Sequence, residues 1–542
     1  MKNRIFQKIS FALLVALGLA LIGCQPARSD GDGAKFDESG DTMVGSLGKV
    51  YRFAPIPVRG FGIVAGLAGT GSSECPPVIR SALVTYILKQ VTDKSRINPE
   101  EFINSTDTAV VEIYGTIPLL ASRGHSFDLK VSAMSGTQTM SLDGGRLFTA
   151  ELKSASELSV AEVLMSAPHL TTLAMAQGPI FIDKLSSKNI DPRTAYILGG
   201  GRAMNDSQVL LALFKADYLV ANAIRNRINE RFGPNTARAV LPNEIDLNIP
   251  AKFRYNKERF LSMVESLSMN TNSFVQQKRI KTLTAALASG ADKEGAEIAL
   301  AAIGKPAISE LRKLVKSNDE AVRFHSARCM LQAGDDSAVL ILAGIANNKS
   351  SGRRIEAIET IGANARKNDA IPTLAPLLSD EDFSVRYASY TQLRMLEDIS
   401  IKQRLVGKDF FVDNVICSGP KIIYASRRDT GRIVLFNSPI ECEKNIFIES
   451  PDKQITINST ASQDFITVMR QHPTQSRMIG PLRCRFDLAD VIQTICGYSS
   501  EGSTKSRPGL SVPYTELLPL LKQMCRQGAI KADFRIGDSV SE

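Results

Sequence analysis

The sequence holds no tryptophan, few other aromatics (6%) and only four histidines. Scarce aromatics leave little surface on which bases or sugars could stack, which argues against a single-strand nucleic-acid platform. His125, His169, His325 and His472 are far apart and none stands at metal-ligand spacing. No Cys-x-x-Cys pair occurs either, so no metal site is expected. A Gly-x-Ser-x-Gly elbow is missing, and no cysteine has a histidine or acidic orienter near it in sequence. Asp335-Asp336 and Asp380-Glu381-Asp382 fall where helices are predicted to start, so capping and the helix dipole account for them. No catalytic residue, cofactor or enzyme activity is expected.

What is present describes a multidomain globular chain. At 542 residues, with 44% apolar and 22% charged residues, it is too long for one ordinary core. The net charge is +9; Lys2, Arg4 and Lys8 supply three of it before residue 24, leaving 9 − 3 = +6 for the rest. Spread so thinly, that charge points to no nucleic-acid partner.

Those three cations precede a thirteen-residue apolar run, Phe11–Gly23, which is short of the roughly 20 residues that span a bilayer. The run ends in Leu21-Ile22-Gly23-Cys24, which resembles a bacterial lipobox. The resemblance implies cleavage of 1–23 and acylation of Cys24, with two or three chains giving a stable membrane anchor where one is marginal. Gln25 in place of Asp implies an outer-membrane destination. A plain cleaved signal with an incidental Cys24 is the other reading. Residues 24–49, rich in Asp, Gly and Ser, are expected to be a flexible tether. Seven further cysteines follow. Cys75 and Cys329 stand alone, whereas Cys417, Cys442, Cys484, Cys496 and Cys525 crowd the last quarter. An exported compartment permits disulfides among them. Seven is odd, so at least one thiol stays free or pairs between chains, and the pairing is open.

The stretch from Arg59 to Gly71 contains Gly60, Gly62, Gly66, Gly69 and Gly71 among small and branched apolar residues. Two readings compete: a tightly packed strand and turn, or a phosphate cradle. Gly60-x-Gly62-x-x-x-Gly66 misses the dinucleotide spacing by one, and Ser72 stands where a Walker loop needs Lys. The structural reading is preferred. Gly199-Gly200-Gly201 is read as a turn before a strand. Pro77–Val91 has the spacing of one helix face, as does Lys215–Arg231, which stops at Gly233-Pro234. Strands are expected at Ala109–Tyr114, His125–Val131, Leu147–Leu152 and Ala174–Ile182. Ala239–Leu241 and Ile245–Ile249 close an α+β region.

Several of these segments resemble, in order, the flagellar basal-body P-ring protein family. They are Val58–Gly71, Leu119–Gly124 with Phe127–Ser132, Ser141–Phe148, Ala174–Gly178, and Ala221–Ile224 through to Phe232-Gly233. The resemblance implies a ring-forming structural protein of the periplasm. It would surround the distal rod at peptidoglycan level, beneath the outer-membrane L-ring proteins.

A departure follows. Ala307-Ile308, Leu311 and Leu314-Val315 recur as Ala338-Val339, Leu342 and Ile345-Ala346, then as Ala370-Ile371, Leu374 and Leu377-Leu378. The offsets are 31 and 32 residues, and Arg323, Arg354 and Arg386 recur with them. This looks like HEAT-type repeats, stacked helix pairs that share a core. His325, on a repeat helix, is expected to be packed. Beyond them, strands are expected at Ile433–Phe436, Ile446–Glu449 and Ile455–Ile457. Leu510–Met524 reads as a helix and Gly528–Ile536 as a last strand, similar to the end of the P-ring family; Tyr498–Gly509 reads as an added polar loop.

The fold class is therefore α+β and multidomain, a β-rich P-ring-like part interrupted by an α-solenoid, with a small α/β C-terminal part. The expected divisions are 50–255, 273–400 and 408–542. The function implied is a P-ring subunit of the flagellar basal body. The competing reading is a non-flagellar outer-membrane lipoprotein scaffold whose repeats dock partner proteins.

Overall fold

The computed structural model describes residues 42–52, 54–90, 98–155, 171–185, 190–407, 409–472, 477–497 and 509–538. The signal segment, Cys24, His169 and most of the tether and of the Tyr498–Gly509 loop lie outside them. The tether drawn to residue 49 has to be shortened. Helix α1 (Val44–Leu47) and strand β1 (Gly48–Arg52) already belong to the fold. Val44 is fully buried, and β1 pairs residue for residue with Val209–Leu213.

The glycine stretch supplies β2 (Ile56–Ala65). It is followed by α2 (Pro77–Gln90), α3 (Pro99–Ile103), β3 (Thr108–Ile117), β4 (Ser126–Ala133), β5 (Arg146–Ser154), β6 (Ala174–Pro179) and β7 (Thr194–Ala203). Six strands close into a barrel in the order β2-β3-β4-β7-β6-β5, with every neighbouring pair antiparallel. Alternation sends Phe127, Leu129 and Val131 inward to meet Val111, Ile113, Leu147 and Ile197. Gly199–Gly201 is not a turn, as read from sequence, but part of β7. A Cβ on Gly200 would come within 2.2 Å of Ile197, and one on Gly201 within 2.5 Å of the Phe127 ring. These glycines make room for the large side chains that fill the barrel.

The chain then forms β8 (Val209–Leu213), α4 (Tyr218–Phe232), β9 (Ala237–Leu241), β10 (Glu244–Leu247) and α5 (Lys257–Glu265). The sheet runs β1-β8-β10-β9. Asp217 caps α4 by accepting from the Leu219 and Val220 amides, and Gly233, at φ +117°, ends it. Ala221, Ile224 and Ile228 of α4 pack on Val50, Leu211 and Ile245. Each of the buried Ile, Leu and Val side chains among them contributes about 1.5–3 kcal/mol.

Eight helices follow in the repeat region: α6 (Ser273–Ser289), α7 (Lys293–Ile303), α8 (Ile308–Leu314), α9 (Glu320–Gln332), α10 (Ala338–Asn347), α11 (Arg354–Asn364), α12 (Lys367–Leu374) and α13 (Phe383–Met395). Leu311, Leu342 and Leu374, equivalent by the repeat, are all buried. The C-terminal part has β11 (Ile401–Val406), β12 (Phe410–Val415), β13 (Ile422–Ala425), β14 (Arg432–Phe436), β15 (Ile446–Glu449), β16 (Ile455–Ser459), β17 (Ile466–Gln471), β18 (Met478–Cys484), α14 (Leu488–Cys496), α15 (Tyr514–Arg526) and β19 (Asp533–Ile536). A mixed sheet runs β11-β12-β14-β13-β19 and an antiparallel one β15-β16-β17-β18. Strands β11, β12, β13, β17 and β18 and helix α14 were not anticipated from sequence, and the last strand begins at Asp533.

The architecture is α+β and multidomain, with a helical repeat region. One continuous core joins the β1-β8-β10-β9 sheet, the repeats and the C-terminal mixed sheet, from Val50 through Leu300, Leu342 and Leu393 to Phe436.

Candidate functional site

The five motif glycines do two different jobs. Gly60 and Gly62 lie inside β2, where the backbone of β5 crosses close by. A Cβ on Gly60 would sit 2.4 Å from the Glu151 carbonyl oxygen, and one on Gly62 would meet Leu147, Ile113 and Ala150 at 2.9–3.2 Å. At Gly71 it would lie 2.1 Å from the Thr108 carbonyl oxygen. Gly66 and Gly69 have open space but left-handed backbones, φ +80° and +90°.

The loop between them is tied internally. The Gly69 amide donates to Asp107 Oδ1 at 3.0 Å and the Gly71 amide to the Thr106 carbonyl at 2.9 Å. Thr70 Oγ1 lies 2.9 Å from both Leu67 O and Ser141 O. Ser72, at the position of a Walker lysine, is buried beside Glu74. The arrangement is a packed turn whose amides serve the fold. Outside the barrel, Arg59 pairs with Glu112 and lies over the rings of Phe61 and Tyr114, 5.6 and 5.5 Å from their centroids.

The repeats carry the strongest electrostatics. Arg323 donates to Ser317 O at 2.8 Å, Arg354 to Ala346 O at 2.8 Å and Arg386 to Leu378 O at 2.9 Å. Each recurring arginine thus ties its own helix to a carbonyl near the end of the helix before it, where a cation also complements the dipole. The capping expected of the carboxylate runs is present at Asp382, which accepts from the Ser384 amide. Asp380 pairs with Arg354, and Asp335 with Arg312 at 2.9 Å.

Glu297 of α7 has no solvent exposure. It receives Arg259 of α5, Arg328 Nε of α9 at 2.6 Å and His325 Nδ1 of α9 at 2.5 Å. Burial pushes its carboxyl up, but the bonds from His325 and Arg328 and the charges of Arg259 and Arg328 outweigh it and hold it at about 2. His325 is buried, as expected. The Glu297 cluster locks the repeats to the part that precedes them. A second lock stands at the other end: fully buried Asp413 of β12 accepts from Tyr390 of α13 at 2.5 Å and from Arg432 of β14 at 2.6 Å. Arg386 reaches on to Pro420 O at 3.1 Å.

A third junction returns the C-terminal part to the barrel. The Ile182 amide donates to Thr515 Oγ1 at 3.1 Å, Arg427 pairs with Asp183 at 2.7 Å, and Asp128 accepts from the amides of Gly199 and Asp429 at 2.6 and 3.0 Å. The chain therefore forms a circuit of barrel, sheet, repeats and C-terminal part. Sequence reasoning missed all three junctions. The one available signal was a lone Glu297 among Ala296, Ile298, Ala299 and Leu300.

Cys75, Cys329, Cys417, Cys442, Cys484, Cys496 and Cys525 are all unbonded. Burial pushes the thiols of Cys442 and Cys484 up to about 12 and that of Cys525 up to about 11. Among the described residues, no helix is long and apolar enough to cross a membrane.

Comparison with known proteins divides the chain in the same region. Residues 45–281 match the flagellar P-ring protein family and residues 280–362 match HEAT repeats. A flagellar P-ring protein of Desulfotalea psychrophila is 24% identical over 62% of this chain and 88% of its own length. One from Nitrobacter winogradskyi is 26% identical over 48% of this chain and 66% of its own length. One from Thermotoga maritima is 28% identical over 39% of this chain and 61% of its own length. Among solved structures, the CpcE–CpcF complex of a Nostoc phycocyanin lyase is 24% identical over 23% of this chain and 81% of that chain. Its TM-score of 0.20 is too low to bear on the fold.

Proposed function

We propose that this chain, which carries a flagellar P-ring protein domain at residues 45–281, is a structural subunit of the bacterial flagellar basal body. In this reading many copies assemble in the periplasm into a closed ring around the distal rod, at peptidoglycan level and beneath the L-ring proteins. The observation that carries it is the family match, which spans the glycine-rich barrel and the adjoining sheet. A ring needs head-to-tail interfaces that close, and it needs no reaction. The internal circuit supports the reading, because a subunit that bears rotational load gains from parts locked at every junction. Lipidated Cys24 would hold the ring subunit to the outer membrane.

Deleting the gene tests this. Basal bodies isolated from the mutant should lack the P-ring and the cells should swim poorly; complete rings and normal swimming would refute it. Cys24→Ser should move the protein from the membrane to the soluble fraction, and an unchanged membrane fraction would remove the anchor from the proposal.

A second reading, a lipoprotein scaffold that docks partners outside the flagellum, is favoured by one observation: Leu340, on repeat helix α10, is 80% exposed. Normal flagella in the deletion strain, with loss of a co-purifying envelope protein on Leu340→Lys, would support it instead.

A further inference from the structure

An open cleft of about 290 Å³ lies where the barrel meets the C-terminal part. Lys184 and Leu185, on the β6–β7 connection, form one side, and Pro451, Pro519, Lys522, Gln523 and Arg526 form the rest. Three cations line it and no acid does. Lys522 and Arg526 stand four residues apart on α15 and so share a helix face. Neither lies within ion-pair distance of a carboxylate among the described residues. Lys184 is held from behind by Asp143, at 2.6 Å. Gln523 is pinned through its amide to Glu449 O at 2.6 Å, and two prolines stiffen the walls.

We propose that this cleft binds a small oxyanion, a phosphate or carboxylate group. Cations at the C-terminal end of α15 are accounted for by the helix dipole alone. Lys184, paired with Asp143, closes the cleft on the side opposite them, from another part of the fold. Lys522 and Arg526 are like charges one helix turn apart with no carboxylate partner among the described residues, and a bound anion relieves their repulsion. The Arg526 guanidinium offers a fork for two oxygens, while Lys522 and Lys184 supply point charges. Because the lining comes from both sides of the junction, the anion would also clamp the barrel to the C-terminal part. The site goes beyond the ring reading and does not depend on it, so its failure would leave that reading untouched.

The full chain is titrated by calorimetry at pH 7 with sodium phosphate, with citrate, and with sodium chloride at matched ionic strength. The expected result is saturable binding of phosphate, citrate or both, with none for chloride. Response to phosphate alone assigns a phosphoryl ligand, and response to citrate alone a carboxylate. The double variant Lys522→Ala, Arg526→Ala should lose at least about tenfold in affinity, the scale of one charge-assisted bond. Lys522→Arg, which keeps the charge, should retain binding. No saturable response beyond chloride, or equal binding by the folded double variant, overturns the proposal.

Discussion

Replacing Glu297 by Gln should loosen the joint between the repeats and the part before them, and the loss should depend on pH. Glutamine keeps the size of the side chain and removes the charge. It would leave Arg259 and Arg328, 7% and 15% exposed, buried without an anion. Breaking a buried charge cluster in this way costs about 3–5 kcal/mol. A second route gives a similar figure: depressing the carboxyl from 4.5 to about 2 corresponds to about 3 kcal/mol. The folded value lies below the unfolded one, so this contribution is complete above about 4.5 and fades as pH falls toward about 2. The chain has several cores, so a single global transition is not the right readout. Hydrogen exchange of the α7 and α9 amides reports the joint directly. At pH 7 those amides in Glu297→Gln should open more easily by about 3 kcal/mol, and near pH 3 the gap should shrink by more than half. A deficit below about 0.5 kcal/mol at pH 7, or one that is equal at both pH values, would refute the reasoning.

Gly60→Ala should destabilise the barrel more than Gly66→Ala, as measured by hydrogen exchange of the β2 and β5 amides. The first drives a Cβ into the Glu151 carbonyl, an overpacking cost of about 1–3 kcal/mol or more. The second meets open space and carries only the left-handed backbone cost of about 1–2 kcal/mol; the reverse order would show that β2 and β5 can part. Tyr390→Phe removes a donor from fully buried Asp413, whose other oxygen already lacks a partner. It should cost about 1–3 kcal/mol in hydrogen exchange of β12, and a change within about 0.5 kcal/mol would count against the second lock. In the native chain at pH 7, maleimide should spare Cys442 and Cys484, which are buried thiols raised to about 12, and should label both in urea. Labelling of either in the folded protein, read by mass spectrometry, would contradict their burial.

Much of this was legible along the chain because it is periodic. Alternation at Phe127-Asp128-Leu129-Lys130-Val131, the 31- and 32-residue offsets, Asp217 before α4 and Gly233 after it all state a local face or a stop. The collinear segments from Val58 to Gly233 marked the P-ring resemblance, and the recurring arginines marked the repeats. The short strands β11, β12 and β13 were missed because runs of four to six residues without sustained alternation do not distinguish a strand from other chain. Residues 43–49 looked like tether because they follow a stretch rich in Asp, Gly and Ser and are too few to show a period, yet Val44 is buried and Gly48 and Lys49 pair with β8.

The sequence by itself determined the longer periodic segments, such as β4, α4 and the repeat helices, since a face or a stop depends on residues within a turn or two of one another. Only the tertiary structure decided what each segment meets. It closed β2 onto β5 to make a barrel, which gave Gly60 and Gly62 their role, and it put Gly199–Gly201 inside a strand. It also gathered Arg259, Glu297 and Arg328 into one buried cluster and set Lys184 opposite Lys522 and Arg526. A charge in a sequence carries no record of its partner. The cost of burying it unpaired becomes a constraint only once distant segments are packed together.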